Sequence, residues 1–181
     1  MRVVAGSAGG RRLAPVPAGT RPVSDRAREG LFSSLGSTIE GARVLDVFAG
    51  TGALGIEALS RGADRAVFVE SGAAAVRTIH KNLDRTGLSD RARVVRREAG
   101  RFLRDDPGEP YDLIFADPPY DVASKTLDAL VGAMIGRLAG PGPTAVLTRP
   151  AKGYTPVVPV NCQVARRLRY GDTLILLYRE V

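Results

Sequence analysis

The strongest sequence signal for the fold lies in Ala42-Arg43-Val44-Leu45-Asp46-Val47-Phe48-Ala49-Gly50-Thr51-Gly52-Ala53-Leu54-Gly55. Its apolar run is short and ends in a cluster of glycines, and the residues that follow favour a helix. Gly50 and Gly52 lack a Cβ, so the backbone of the turn can adopt unusual dihedrals and a ligand can approach it closely. The pattern predicts a strand, a tight turn and a helix start, with a ligand over the turn, where the unpaired amides of the helix also point.

The identity of that ligand depends on Asp46. The glycines also fit the Gly-x-Gly-x-x-Gly fingerprint of dinucleotide sites, with Glu70 at the end of the next strand as that motif requires. An anionic side chain beside the turn would, however, repel a pyrophosphate bound at the helix N-terminus. A carboxylate suits a ligand with a cationic end, such as the amino and sulfonium groups of S-adenosylmethionine. We therefore expect S-adenosylmethionine here, with an NAD-dependent oxidoreductase and a glycine turn without a ligand as the alternatives.

Composition limits the classes of function. With 181 residues, 44% of them hydrophobic, one domain with a proper core is expected. Cys162 is the only cysteine, which excludes a disulfide framework and a zinc cluster within one chain, and we expect no metal. The sequence shows no long apolar run and no N-terminal apolar segment of the signal-peptide kind, so we expect a soluble, cytoplasmic protein. The net charge of +7 favours a polyanionic partner, although a coding bias toward arginine is an alternative.

The N-terminal segment is the first basic region. Residues 1–13 are predicted to form a hairpin with a basic rim, residues 14–23 are extended and rich in proline, and Ser24 is placed to cap a helix. We divide the chain into an N-terminal arm, residues 1–23, and one domain, residues 24–181. Residues 1–30 carry a local charge of +4. The arginines of this region expected to contact nucleic-acid phosphates are Arg2, Arg11, Arg12, Arg21, Arg26 and Arg28.

Acidic residues follow the next two predicted strands. Glu70 ends the strand from Ala66 and is placed to accept hydrogen bonds from the hydroxyls of a ribose. After a helix over residues 73–86 and a strand over residues 93–97, Glu98 and the amide of Ala99 are candidates to contact an adenine, with ordinary surface charge as the alternative. The arginines of residues 91–104 face either RNA or solvent. The predicted cofactor-binding set is Asp46, Phe48, Ala49, Gly50, Thr51, Gly52, Glu70, Glu98 and Ala99.

The fourth predicted strand, over residues 111–116, runs into Asp117-Pro118-Pro119-Tyr120. The two prolines fix φ and remove amide donors, so that Asp117 and the neighbouring carbonyls are held as acceptors beside an aromatic ring. Acceptors next to a stacking face are what an exocyclic amino group on a planar base needs. We take these four residues as the catalytic set, with a purely structural Pro-Pro turn as the alternative.

The remaining pattern completes the fold prediction. A helix over residues 122–138, a strand over residues 144–148 and a hairpin formed by residues 163–170 and 173–179 follow in order. The predicted fold is a doubly wound, Rossmann-like α/β sheet with an antiparallel C-terminal strand and a basic N-terminal extension.

Several motifs together resemble the RsmD family of bacterial ribosomal RNA methyltransferases, and the likeness covers almost the whole chain. The matching segments are Arg2-Val3-Val4-Ala5-Gly6, Gly10-Arg11-Arg12-Leu13, Thr20-Arg21-Pro22, Asp25-Arg26-x-Arg28-Glu29, the run from Asp46 to Leu59, and Asp117-Pro118-Pro119-Tyr120. One departure is Glu98-Ala99, where the family usually has Asp-Ala. The resemblance implies a class I S-adenosylmethionine-dependent enzyme that methylates the N2 amino group of one guanine in 16S rRNA and releases S-adenosylhomocysteine.

The resemblance also implies a partner and leaves rivals open. The expected substrate is 16S rRNA in the small ribosomal subunit or its assembly intermediate, and a monomer without membrane contact is expected. A non-catalytic RNA-binding assembly factor is a rival from a different class. DNA adenine methylation is a second rival, because adenine N6 would meet the same acceptors at Asp117.

Overall fold

A computed structural model describes residues 1–15, 23–106, 108–140 and 142–181. Within these ranges, five helices flank one continuous sheet of seven strands, and two short 3-10 helices, Gly36–Ile39 and Ser89–Arg91, lie in the connections. The helices and strands are, in chain order, α1 Asp25–Leu35, β1 Arg43–Val47, α2 Ala53–Ser60, β2 Arg65–Glu70, α3 Ala73–Thr86, β3 Ala92–Arg96, α4 Ala99–Asp105, β4 Leu113–Ala116, α5 Ser124–Ile135, β5 Thr144–Pro150, β6 Cys162–Tyr170 and β7 Thr173–Glu180.

The strand order is β3-β2-β1-β4-β5-β7-β6. The first five strands along the chain are parallel, and β7 pairs antiparallel with both β5 and β6. The carboxyl ends of β1, β2 and β4 therefore meet at one edge, at the point where the order reverses, which is where open α/β sheets bind ligands. The predicted doubly wound sheet with an antiparallel C-terminal strand is confirmed.

Apolar side chains form one core on each face of the sheet. The first core contains the buried apolar residues of α1 and α2, together with side chains of α3 and the N-terminal segment. The second contains those of α4 and α5. Because side chains alternate along a strand, neighbouring residues of β1 such as Val44 and Leu45 belong to different cores.

Most predicted elements are confirmed within one or two residues at their ends, but α4 was not predicted. The sequence interpretation ended the third strand at Arg97 and assigned no helix after it. Helix α4 has seven residues, of which three are buried, and four of its positions are glycine or charged. A single apolar pair, Phe102 and Leu103, is too short a pattern to reveal a helical period.

The N-terminal arm is part of the first core. Arg2 and Arg12 form an antiparallel bridge, which confirms the hairpin in outline, and the Val3 amide donates to the Arg11 carbonyl at 3.0 Å. Val3, Ala8 and Leu13 are buried in the same cluster as α1 and α2. The boundary at residue 23 stays a prediction, and most of the predicted extended segment, residues 16–22, lies outside the described residues.

Glu57 of α2 holds the arm and α1 in place. Its carboxylate is fully buried and accepts the amides of Val4 at 2.7 Å and Ala5 at 3.0 Å. It also pairs with the guanidinium of Arg28 from α1 at 3.4 Å and with that of Arg61 at 2.7 Å. A buried charge is tolerated only when such partners surround it.

In the described ranges, no helix is both long enough and apolar enough to cross a lipid bilayer.

Replacing Glu57 with Gln is expected to destabilise the protein strongly, because the buried Arg28 would lose its fully buried carboxylate partner and keep only the half-buried Asp25. The expected loss is about 3 kcal/mol in the free energy of unfolding, measured by urea denaturation monitored by circular dichroism. Glu29→Gln, a change at an exposed glutamate of α1, is the matched control and should alter stability little. Equal stability of the two variants would contradict the central role of Glu57.

Candidate active site

The turn after β1 has the unusual backbone that its glycines predict. Phe48, Gly50 and Gly52 have φ values of 60°, 56° and 78°, and Phe48 is the one non-glycine residue with positive φ among the described residues. A Cβ on Gly50 would meet only the Phe48 carbonyl oxygen, at 3.9 Å, so open space lies above the main chain there. Strained backbone of this kind is concentrated at functional sites.

Asp46 lies beneath the turn with an exposed fraction of 1%. Its Oδ2 accepts the Gly55 amide at 2.9 Å and so attaches the first turn of α2 to β1. Burial raises the pKa of Asp46 well above its usual value, and the neighbouring carboxylates of Asp117 and Glu70 raise it further. The predicted contact of Asp46 with a cationic ligand stays a prediction, and the structure adds a role in helix attachment.

Glu70 is tied to the turn rather than extended into solvent. Its Oε2 accepts the Gly50 amide at 3.0 Å, and its Oε1 accepts the Gly72 amide at 2.7 Å. The side chain is half-buried. Glu70 therefore lies beside the glycine turn, where a ribose contact was predicted.

Glu98 caps α4. Its two carboxylate oxygens accept the amides of Gly100 and Arg101, both at 2.8 Å, and the Gly100 hydrogen bond is the main reason that the pKa of Glu98 is lowered. A carboxylate oxygen can accept a second hydrogen bond, so the capping role leaves the predicted adenine contact of Glu98 and Ala99 open as a prediction.

Asp117 follows β4 at the same edge of the sheet. Its predecessor Ala116 pairs with Val47 of β1 and with Leu147 of β5, so Asp117 lies past the end of β4 between those two strands. Burial raises the pKa of Asp117 to about 6, although a hydrogen bond from Thr148 acts in the opposite direction. Tyr120, three residues on, has an exposed fraction of 43%, so its ring is open to a partner.

Sequence reasoning missed two residues at the end of β5. The Thr148 hydroxyl donates to Asp117 Oδ1. The buried guanidinium of Arg149 lies near the carbonyl oxygens of Pro119 and Tyr120, at 3.3 and 3.5 Å. The only available signal was their position at the carboxyl end of a strand beside the Asp-Pro-Pro-Tyr segment.

Asn82 of α3 was also missed, and it joins the arm to the turn. Its Nδ2 donates to the carbonyl of Thr51 in the turn at 2.9 Å and to that of Ala14 at 3.2 Å, while its Oδ1 accepts the Ala14 amide at 2.7 Å. Asn82 is fully buried. A polar residue on an apolar helix face was the one sequence sign of this role.

The arginines predicted to contact RNA fall into three groups. Arg2, Arg11, Arg12 and Arg26 are exposed, and Arg2 and Arg12 border an open hollow of about 540 Å³. Arg28 is fully buried against Asp25 and Glu57 and donates to the Arg2 carbonyl, so its prediction as a phosphate contact is wrong. The sixth, at position 21, lies outside the described residues.

A second hollow, of about 360 Å³, lies at the opposite edge of the sheet, among the first residues of β2 and β3. Two of its arginines are paired there, Arg43 with Asp112 and Arg65 with Glu109. The hollow is remote from the carboxyl ends of the strands, so we do not include it in the candidate active site.

The sheet order and the acidic, glycine-rich edge define the class of protein as a Rossmann-like class I methyltransferase fold. The yhhF protein of Escherichia coli superposes with a TM-score of 0.86 at 35% identity, over 99% of this chain and 97% of that one. The Thermus thermophilus protein TTHA0928 does so with a TM-score of 0.83 at 36% identity, over 98% of each chain.

Sequence comparison gives the particular family. The family described as "Conserved hypothetical protein 95" matches residues 1–179. The chain is 38% identical to the ribosomal RNA small subunit methyltransferase D of Escherichia coli K12, over 99% of this chain and 90% of that protein. The Haemophilus influenzae protein of the same name is 37% identical over 66% of this chain and 64% of its own length. The chain therefore belongs to the RsmD family of methyltransferases.

Replacing Gly55 with Ala is expected to destabilise the protein by about 1–3 kcal/mol through overpacking. The new Cβ would lie 2.4 Å from Cε1 of the buried Phe68 ring. Gly132→Ala is the matched control, because Gly132 lies inside α5 and its Cβ would meet nothing within 4 Å, so greater helix propensity should stabilise that variant slightly. Thermal unfolding checks both, and a Gly55→Ala variant as stable as the control would refute the close packing.

Proposed function

We propose that this protein transfers a methyl group from S-adenosylmethionine to the exocyclic N2 amino group of a guanine in 16S rRNA of the small ribosomal subunit or its assembly intermediate. One observation supports the reaction type above all others. A half-buried carboxylate at Asp117 is fixed through one oxygen, next to a proline-stiffened loop and the exposed ring of Tyr120. That combination suits a flipped-out base with an amino group.

The chemistry of the glycine turn fits S-adenosylmethionine. Asp46, Glu70 and Asp117 bring three carboxylates to one edge of the sheet, and their mutual repulsion contributes to the raised pKa of Asp46. A cationic ligand would relieve that repulsion, whereas a pyrophosphate would increase it. The open space over Gly50 leaves room for close approach to the main chain. When bound, the cofactor supplies an electrophilic methyl group on a cationic sulfur.

The residues of this chain would then orient the base. Guanine N2 is a weak nucleophile because its lone pair is delocalised into the ring, so alignment and acceptance of its hydrogens matter most. Asp117 Oδ2 and the Pro118 carbonyl are the acceptors we assign, since no hydrogen bond to either is formed within the described ranges. Tyr120 would stack on the base, and exclusion of water would add to the effect of positioning.

The choice of RNA as the substrate, and of its position, rests on the relatives and on the arm. The Escherichia coli relative is named for methylation of small-subunit ribosomal RNA. The arm packs on the face of the sheet that holds the first core, and Asp117 points to that same face, two residues beyond Phe115 of that core. We therefore place the strand of RNA that carries the target base across the arm.

Competing acceptors would test the proposal directly. Tritiated S-adenosylmethionine is supplied with small subunits from cells lacking this gene, with naked rRNA or with duplex DNA, and nucleosides are then analysed. We expect label in N2-methylguanosine from small subunits. Label in N6-methyladenine would instead indicate adenine methylation, and no label with the cofactor demonstrably bound would favour an RNA-binding assembly factor.

Replacing Asp117 with Asn is expected to lower kcat by at least about 100-fold, because an acceptor for the amino hydrogens becomes partly a donor. Cofactor affinity, measured by calorimetry, should change by roughly a few-fold at most, since a neutral amide keeps the shape of the site. Asp121→Asn, at an exposed aspartate just after the loop, is the control and should remain active. A near-normal rate in the Asp117 variant would exclude Asp117 as the acceptor.

Neutralising the arm is expected to weaken RNA binding without unfolding the protein. Deleting the arm is a poor test, because Val3, Ala8 and Leu13 belong to the core. The double variant Arg2→Gln and Arg12→Gln changes exposed side chains only. The slope of log K against log salt should become shallower by roughly 0.7 for each phosphate that the variant no longer neutralises, measured by filter binding.

A matched double variant on α4 provides the control for the arm. Arg101 and Arg104 are exposed arginines on a helix that packs against the second core, on the other face of the sheet. Their replacement with Gln should leave the salt slope nearly unchanged. If this pair lowers affinity and the arm pair does not, RNA crosses the opposite face and the arm is not its contact surface.

A further inference from the structure

We propose that Thr148 and Arg149 are positioning residues that hold the Asp117–Tyr120 loop in its acceptor geometry, Thr148 by orienting the Asp117 carboxylate and Arg149 by fixing two carbonyls of the loop. The inference deepens the proposed function and rests on it for the identity of the substrate. Neither residue was part of the catalytic or cofactor-binding set expected from the sequence.

The two side chains approach the loop from opposite faces of the sheet. Val146 belongs to the first core and Leu147 to the second, so alternation places Thr148 on the first face and Arg149 on the second. Ala116 pairs with Leu147, which brings the next residues of the two strands, Asp117 and Thr148, side by side. The end of β5 therefore clamps the loop from both sides.

Thr148 gives the two oxygens of the Asp117 carboxylate different functions. Its hydroxyl donates to Oδ1, and this hydrogen bond fixes the rotation of the carboxylate group. Oδ2 is then left to accept a hydrogen bond from the amino group of the base. The charged groups facing Asp117 are Arg149 on β5 and Asp46 on β1.

Arg149 selects which carbonyls of the loop stay available. Its two terminal nitrogens lie 3.3 Å from the Pro119 oxygen and 3.5 Å from the Tyr120 oxygen. The Pro119 oxygen also accepts the amide of Val122 at 3.3 Å. Of the three carbonyls that follow Asp117, only that of Pro118 has no donor in the described ranges. Arg149 has an exposed fraction of only 3%, and its Nε has no partner among the described residues. Burying a charged group in this way costs free energy of folding unless the group makes compensating contacts, here those to the loop carbonyls.

The sign of the pH effect follows from the hydrogen bonds. Asp117 must be ionised to accept a hydrogen bond at each of its two oxygens. Burial raises its pKa, and the Thr148 hydrogen bond lowers it. In Thr148→Val that hydrogen bond is absent, so the pKa of Asp117 rises above about 6. The ionised fraction at neutral pH falls, and the acid limb of the kcat profile moves to higher pH.

The test measures Asp117 itself as well as turnover. Carbon-13 carboxyl NMR of the full chain without RNA, assigned with Asp117→Asn, follows the titration of Asp117 in the wild type, Thr148→Val and Thr148→Ser. Thr148→Val should raise the apparent pKa, and Thr148→Ser, which keeps the hydroxyl, should restore it. We expect kcat of Thr148→Val to fall about 10- to 100-fold, the effect of losing a hydrogen bond to a charged group, with cofactor affinity unchanged.

Arg149→Lys tests the second interaction, because an ammonium keeps the charge but cannot reach two carbonyls as a fork. Its kcat/KM for RNA should fall about tenfold, the effect of removing about one charge-assisted hydrogen bond. Arg179→Lys is the matched control, since Arg179 is half-buried and donates to Thr144 at the far end of the same strand. Rates equal to the control would overturn the role of Arg149.

Two results would overturn the role of Thr148. One is an Asp117 titration that is the same in the wild type and in Thr148→Val, which needs no activity to observe. The other is an unchanged kcat in Thr148→Val when the wild type methylates. Absence of methyl transfer by the wild type would instead refute the proposed function, and the NMR comparison would still decide whether Thr148 orients Asp117.

Discussion

The buried carboxylate of Glu57 is the constraint on which the arrangement of the N-terminal half depends. Two amides from the arm and the guanidinium of Arg28 from α1 converge on it, and Glu57 itself lies in α2. A charge in the interior is stable only with its full set of partners, so arm, α1 and α2 must assemble together. Helix α2 begins at the glycine turn, and the same carboxylate therefore fixes where that turn lies relative to the arm.

The arm and the turn are also joined directly. Asn82 bridges the carbonyl of Thr51 in the turn and both main-chain polar groups of Ala14 at the end of the described arm. The surface proposed to contact RNA and the turn proposed to contact the cofactor are thus connected by two buried polar groups, Glu57 and Asn82. Displacement of the arm would strain the turn, so the two surfaces proposed to contact the RNA and the cofactor belong to one rigid frame.

The sequence revealed the parts of this frame that follow from local patterns. Alternating apolar runs, glycines and the Asp-Pro-Pro-Tyr segment carry their own periodicity or stereochemistry, so the strands, the turn and the loop were predictable. Arg28 and Glu57 were not, because their pairing joins residues 29 positions apart and an arginine in a basic segment resembles a phosphate contact. Thr148 and Arg149 depend on the pairing of β4 with β5, which no local pattern specifies.

The carboxyl-end edge of the sheet gathers like charges, an arrangement that usually lowers the stability of a fold. In a chain with a net charge of +7, Asp46, Glu70 and Asp117 lie together at one edge, where Asp46 is fully buried and the other two are half-buried. The repulsion within this cluster opposes folding, since Asp117 and Glu70 both raise the cost of ionising Asp46. A cationic ligand on one side and a hydrogen-donating base on the other would satisfy the same groups. Functional sites are where residues that do not favour folding are expected. The three carboxylates have the negative charge and the hydrogen-bonding capacity that the proposed methyl transfer to an amino group requires.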